Sequence, residues 1–104
     1  MTVSPFSITP LMPGGTAGPA LVRRTPHVDE RGAFARIFCK EALAAIGWPG
    51  TVAQINHSRT TAAGTLRGLH FQRPPQAEAK LVVCIRGAVY DVAVDIRETS
   101  PTRF

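Results

Sequence analysis

The stretch Thr65-Leu66-Arg67-Gly68-Leu69-His70-Phe71-Gln72, followed by Lys80 and Asp91, sets a guanidinium, an imidazole, an ammonium and a carboxylate among apolar segments. Charges in such surroundings lose hydration unless a partner or ligand meets them, which marks a candidate for proton transfer or anion binding. The ordinary titration range of His70 suits proton transfer near neutrality. The same pattern also fits a core histidine bonded to a backbone carbonyl. Lys80 opens the apolar run Leu81-Val82-Val83-Cys84-Ile85, where its ammonium either meets a partner or ligand or snorkels to water from a strand end. Asp91 and Asp95 are placed to balance Lys80 and Arg97, and the structural pairing suits Asp95 best. A metal is not expected. The position two past His70, which would present a second ligand on the same strand face, is Gln72, and no further histidine follows, whereas transition-metal centres use several imidazoles with a carboxylate.

These side chains need strands to position them. Val52 to Asn56, Gly64 to Phe71, Lys80 to Arg86 and Ala88 to Arg97 are four candidate strands, separated by the Arg59 to Ala63 turn, the Pro74-Pro75 loop and the Gly87 link. Alternation puts Gln54 with Asn56 on one face, and Lys80 with Val82 and Cys84 on another. It sends Arg67 and His70 to opposite faces unless Gly68 marks a bulge that re-aims its neighbours. In the last strand Tyr90, Val92, Val94 and Ile96 share one face and Val89, Asp91, Ala93 and Asp95 the other. That pattern fits a barrel or sandwich strand beside a polar cavity.

Upstream, Ala20 to Arg24 reads as a short strand and Asp29-Glu30-Arg31-Gly32 as a turn. Cys39 to Ile46 is rich in helix formers, with Gly47 at the C-cap position and Pro49 beyond, and forms the one expected helix. Residues 1–19 hold many prolines and glycines and read as a flexible or extended tail, with the domain spanning 20–104.

At 104 residues, 44% of them hydrophobic, the chain has room for one small globular domain. A net charge of +5 favours an anionic partner, and ten of the twelve cationic residues are arginines scattered along the chain. Scattered planar forks fit a phosphate pocket better than a polybasic surface, so neither nucleic acid nor membrane is the expected partner. Cys39 and Cys84 are too few and too far apart for a zinc motif and read as reduced core or near-core residues of a cytoplasmic protein. The amino terminus lacks a signal-peptide pattern, and no run reaches membrane-spanning length.

Five ordered blocks carry a resemblance to a known family. They are Asp29-Glu30-Arg31-Gly32, Gln54-Ile55-Asn56-His57-Ser58-Arg59, Leu66 to Gln72, Ala79-Lys80-Leu81-Val82 with Arg86-Gly87, and Tyr90 to Arg97 with Ser100-Pro101. Together they resemble the dTDP-4-dehydrorhamnose 3,5-epimerases, cupin-fold enzymes that use neither metal nor cofactor. The resemblance implies a mainly β, cupin-like jelly-roll barrel with one short helix and a homodimer acting on a dTDP-linked 4-keto-6-deoxy sugar. It implies His70 as the base at C3 or C5 and Lys80 as the ammonium near the sugar ketone. Arg67 corresponds to a guanidinium on the diphosphate, Gln54 and Asn56 to amides on the nucleotide, and Arg31 to an arginine reaching a neighbouring subunit's site. Asp91 matches an aspartate without an assigned role. Five residues past Arg31, where many members carry a nucleotide-contacting Glu, stands Arg36. The family domain continues beyond the Ser-Pro-Thr block, so the resemblance implies an incomplete barrel here. The tyrosine acid and the aspartate that orients the base would lie in the remainder. Tyr90, sharing a face with Val92 and Val94, is not expected to replace that acid.

Overall fold

Alternation of apolar and polar residues begins early in the chain. In the computed structural model, which describes residues 4–11, 18–100 and 103, Phe6–Pro10 (β1) pairs antiparallel with Ala20–Arg24 (β2). Phe6 lies opposite Arg24, Ile8 opposite Val22 and Pro10 opposite Ala20. Phe6, Ile8 and Val22 take the sheltered positions, while Ser7 and Thr9 are exposed. Backbone bonds from Thr25 to Pro5 and from Leu11 to Pro19, each 3.0 Å, prolong the ladder at both ends. β2 keeps the bounds the sequence predicts. Residues 6–10, expected within the tail, are strand, because β2 supplies partners for the backbone groups along one edge. Residues 12–17 of the expected tail lie outside the described residues.

His27–Asp29 (β3) and Gly32–Phe34 (β4) form a second hairpin around Glu30-Arg31. The expected turn is closed by its own aspartate. Asp29 Oδ1 accepts the backbone N–H of Arg31 at 2.9 Å, and Oδ2 accepts Arg31 Nη2 at 2.7 Å and Nε at 3.2 Å. Such an Asx turn gives the chain a reversal without help from distant residues.

Lys40–Ala44 (α1) is shorter than the expected Cys39 to Ile46 helix. Trp48 N donates to Leu43 O and Gly47 N to Ala44 O, both at 3.1 Å, which is a Schellman closure. Its left-handed residue is Gly47, at φ 96°, where a side chain would be strained. Leu43 is only 2% exposed, and Phe38 and Trp48 meet edge to face across the short helix at 5.6 Å.

Beyond Gly50 the structure departs from expectation. The four strands expected between Val52 and Arg97 are absent among the described residues, and every residue from 51 to 80 is exposed. Turns and bends nevertheless fall at 62–64, 74–76, 86–87 and 98–99, close to the expected chain reversals. What is missing is pairing. An alternating segment becomes strand only when a neighbour takes its N–H and C=O groups and a second layer covers its apolar face. Here Ile55, Leu66, Leu69, Phe71, Ile85 and Tyr90 remain uncovered, Leu66 and Tyr90 at 94% exposure. The described elements are thus mainly strands with one short helix, and they close no barrel. Cys84, expected in or near the core, is exposed for the same reason, whereas Cys39 is half-buried, and both are free thiols. The accessible surface of 9498 Å² compares with roughly 5,700 Å² for a compact protein of this mass. The radius of gyration, 15.8 Å, likewise exceeds the value of about 13 Å for a compact domain.

One buried charge organises the end of this segment. Asp95 accepts Arg97 N at 3.0 Å and Nε at 2.9 Å on Oδ1, with Arg97 Nη2 at 2.9 Å and the Ser100 hydroxyl on Oδ2. Its side chain is 4% exposed, and it holds the Arg97 guanidinium above its ordinary pKa through the hydrogen bonds and its charge. The pairing of Asp95 with Arg97 is the one the sequence favours.

The Asp29 turn carries a pH dependence. Side-chain and then backbone hydrogen bonds from Arg31 hold the Asp29 carboxyl below its ordinary 3.8. A depressed carboxyl stabilises the hairpin above the unfolded value, and that contribution is lost as pH falls through the lower folded value. A carboxyl-detected NMR titration is expected to place Asp29 below 3.8, and Arg31→Ala to return it toward 3.8. An unchanged midpoint in the variant would refute the pairing of the Arg31 guanidinium with Asp29.

Candidate functional site

Of the sequence-predicted site residues, Gln54, Asn56, Arg67, His70 and Lys80 all lie in the exposed segment past Gly50, outside any strand. Short-range contacts therefore set their positions. Thr65 Oγ1 donates to Ala62 O at 2.7 Å and closes the turn before Arg67. Arg67 then folds back, with Nη2 and Nε donating to Thr60 Oγ1 at 3.2 and 3.3 Å and Nη2 reaching Arg59 O at 3.4 Å. These contacts orient the fork while leaving Nη1 for an anion such as a phosphate.

His70 lies over Gly68. A Cβ built on Gly68 would stand 3.2 Å from His70 Nδ1, and Gly68 has φ 110°, a conformation L side chains rarely adopt. Gly68 is therefore favoured by its backbone conformation, and a side chain there would press on the imidazole. The strand bulge expected at this glycine does not form, since no ladder is present to be bulged.

Lys80 has a partner, but not Asp91. Its Nζ lies 3.2 Å from Glu78 Oε1, with the two side chains 57% and 45% exposed. Glu78 also meets Gln72, whose amide nitrogen, in the orientation that satisfies its neighbours, donates to Glu78 Oε1 at 2.7 Å and Oε2 at 3.0 Å and to Gln76 O at 3.2 Å. Glu78 and Thr60 are the residues that reading the sequence missed. The two-residue spacing from Glu78 to Lys80 was the available signal, because alternation puts such a pair on one face.

Arg31 lies at the tip of the second hairpin, folded onto Asp29 and 87% exposed. It stands apart from the others in the chain and meets none of them in a described contact. Asp91 is exposed. Among the described residues no group of three or more His, Cys, Asp or Glu side chains gathers as a metal site would, and no helix is long and apolar enough to cross a membrane.

The closeness of Gly68 and His70 gives a direct test. Gly68→Ala is expected to displace the His70 ring, shifting its imidazole resonances while those of His27 and His57 stay in place. Unmoved His70 resonances would show that the ring does not lie over residue 68.

Comparison with known proteins identifies the family of the chain. The family model described as dTDP-4-dehydrorhamnose 3,5-epimerase matches residues 15–104. A dTDP-4-dehydrorhamnose 3,5-epimerase of Shigella flexneri is 51% identical over 75 residues, 71% of this chain and 41% of the relative. One of Streptomyces griseus is 41% identical over 93 residues, covering 88% and 46% of the two chains. The dTDP-4-dehydrorhamnose 3-epimerase of Streptomyces niveus is 42% identical over 93 residues, covering 88% and 44%. No solved structure matches the chain. The chain spans less than half the length of each of these three curated relatives. A family match over most of the chain, together with identities of this size, shows that it belongs to the dTDP-4-dehydrorhamnose 3,5-epimerase family.

Proposed function

We propose that this chain carries the base-bearing part of an isomerase that epimerises a dTDP-4-keto-6-deoxyhexose at C3, C5 or both. The C4 ketone acidifies the hydrogens on either side of it. His70 removes one as a proton, and the electron pair of the broken C–H bond passes to the C4 oxygen as an enolate. The Lys80 ammonium stabilises that oxygen, and a general acid returns a proton to carbon from the opposite face. The substrate's own ketone is the electron sink, so no cofactor enters the scheme. Arg67 binds the diphosphate, Gln54 and Asn56 the nucleotide, and Arg31 reaches the site of the second subunit of a homodimer. The complete domain is a cupin-like barrel in the cytoplasm, and the general acid comes from outside residues 1–104. Residues 20–104 belong to that domain.

The observation that carries this reading is the family match over residues 15–104, within which every proposed site residue falls. The exposure of the whole 51–80 segment supports the need for further strands over the site. Since one relative is named a 3-epimerase and others 3,5-epimerases, the carbon that exchanges is itself a readout.

The expected outcome is that the chain binds dTDP, and that substrate hydrogens at C3 or C5 exchange with solvent deuterium once the carboxy-terminal half of a relative is added. His70→Ala is expected to slow that exchange by about 10² to 10⁴ while dTDP binding persists. Exchange by the 104 residues alone would overturn the assignment of the acid to the remainder. Tight dTDP binding with no exchange after complementation would instead identify a sugar-nucleotide binding module.

A further inference from the structure

Glu78 has no assigned role, yet it holds the link between two candidate catalytic segments. Its carboxylate receives the Lys80 ammonium at 3.2 Å and, with the Gln72 amide turned to the orientation that satisfies its neighbours, the Gln72 nitrogen at 2.7 and 3.0 Å. Gln72 stands two residues past His70, and between Gln72 and Glu78 the chain reverses through a turn in which Gln76 N donates to Arg73 O at 2.8 Å. Arg73 also stacks over the Phe71 ring at 5.9 Å. The His70 arm and the Lys80 arm are therefore tied across the turn by one carboxylate, which uses both of its oxygens.

We infer that Glu78 is a positioning residue: through Gln72 and Lys80 it fixes where the ammonium stands relative to the arm that carries His70. The inference deepens the proposed reaction and rests on that reading for its catalytic meaning. Chemistry favours a carboxylate in this place. Lys80 offers only donors and the Gln72 amide nitrogen is a donor too, so the group between them must accept from both sides. An acceptor with two oxygens does this without rotating, whereas an amide at position 78 would present one oxygen and one nitrogen. Solvent screens a half-exposed pair, so the link is modest and a ligand oxyanion can draw the ammonium away from it.

Lys40 and Lys80 are the only lysines in the chain, which makes the test direct. Side-chain relaxation of the lysine ammonium and Cε groups is measured by NMR in the full 104-residue chain, with Lys40 as the internal reference. Glu78→Gln is expected to mobilise Lys80 and leave Lys40 unchanged. Glu78→Asp, which keeps the charge, is expected to restore part of the order. Lys80 motion that is the same in the wild type and in Glu78→Gln overturns the inference, with or without a nucleotide present. In the complemented protein, Glu78→Gln is expected to lower the hydrogen-exchange rate about two- to fivefold with dTDP affinity unchanged. An unchanged rate beside a mobilised Lys80 overturns the catalytic meaning of the link. Absence of dTDP binding by the wild type counts against the epimerase reading and leaves the NMR result to decide the Glu78 link.

Discussion

An extended segment leaves its N–H and C=O groups unsatisfied until a neighbouring strand or water takes them, and this requirement governs most of what the chain does. Where a partner lies nearby, the segment folds as its composition directs. Residues 6–10 find one in residues 20–24, and residues 27–29 find one in residues 32–34. Between Val52 and Arg97 the alternation is at least as regular, yet among the described residues no ladder forms. The surface beyond that of a compact protein of this mass, roughly 3,800 Å², exceeds the standard protein–protein interface of about 1,600 Å². It is on the scale of a missing layer of structure, not of a loosened loop.

Local polar clamps substitute for that layer, and one device appears twice. In Asp29-Glu30-Arg31 and in Asp95-Ile96-Arg97 the aspartate accepts both the backbone N–H and the guanidinium of the arginine two residues on. The two copies differ in surroundings. Asp29 is half exposed, so solvent screens its pair and the turn keeps only a modest gain. Asp95 is nearly buried and adds the Ser100 hydroxyl, which raises what would be lost if one partner were removed. A spacing of two lets one carboxylate serve backbone and side chain together, and it needs no partner from elsewhere in the chain.

The features legible in the sequence were those whose causes are local. Strand 20–24, the turn at 29–32, the glycine closure after the helix and the reversals near Gly64, Pro74-Pro75 and Gly87 all depend on a few adjacent residues. Strand 6–10 was missed because prolines and glycines around it dominate the composition and hide the alternation of Phe6 and Ile8. The strands past Gly50 failed for the opposite reason: alternation reports what a segment needs, not whether it obtains it. Within the site, Arg67, His70 and Lys80 could be named from their chemistry. Thr60 could not, because surface Thr is common and its role appears only once the 62–64 turn brings it back onto Arg67, whereas Glu78 left a signal in its two-residue spacing from Lys80.

The same lack of cover bears on the chemistry. An ammonium 4 Å from an enolate oxygen contributes about 1 kcal/mol in bulk water and about 4 kcal/mol at the effective dielectric of a partly enclosed site. In the proposed reaction Lys80, more than half exposed, would stand nearer the first limit. In the proposed reaction His70 likewise lies in a segment open to water, where nothing fixes its approach to carbon. Strands laid over residues 51–97 would therefore do two things with one set of contacts. They would take the unpaired backbone groups of the apolar segments, and they would exclude the water that weakens the electrostatic action of Lys80. In the proposed architecture the completion of the sheet and the strengthening of the site would be a single physical event.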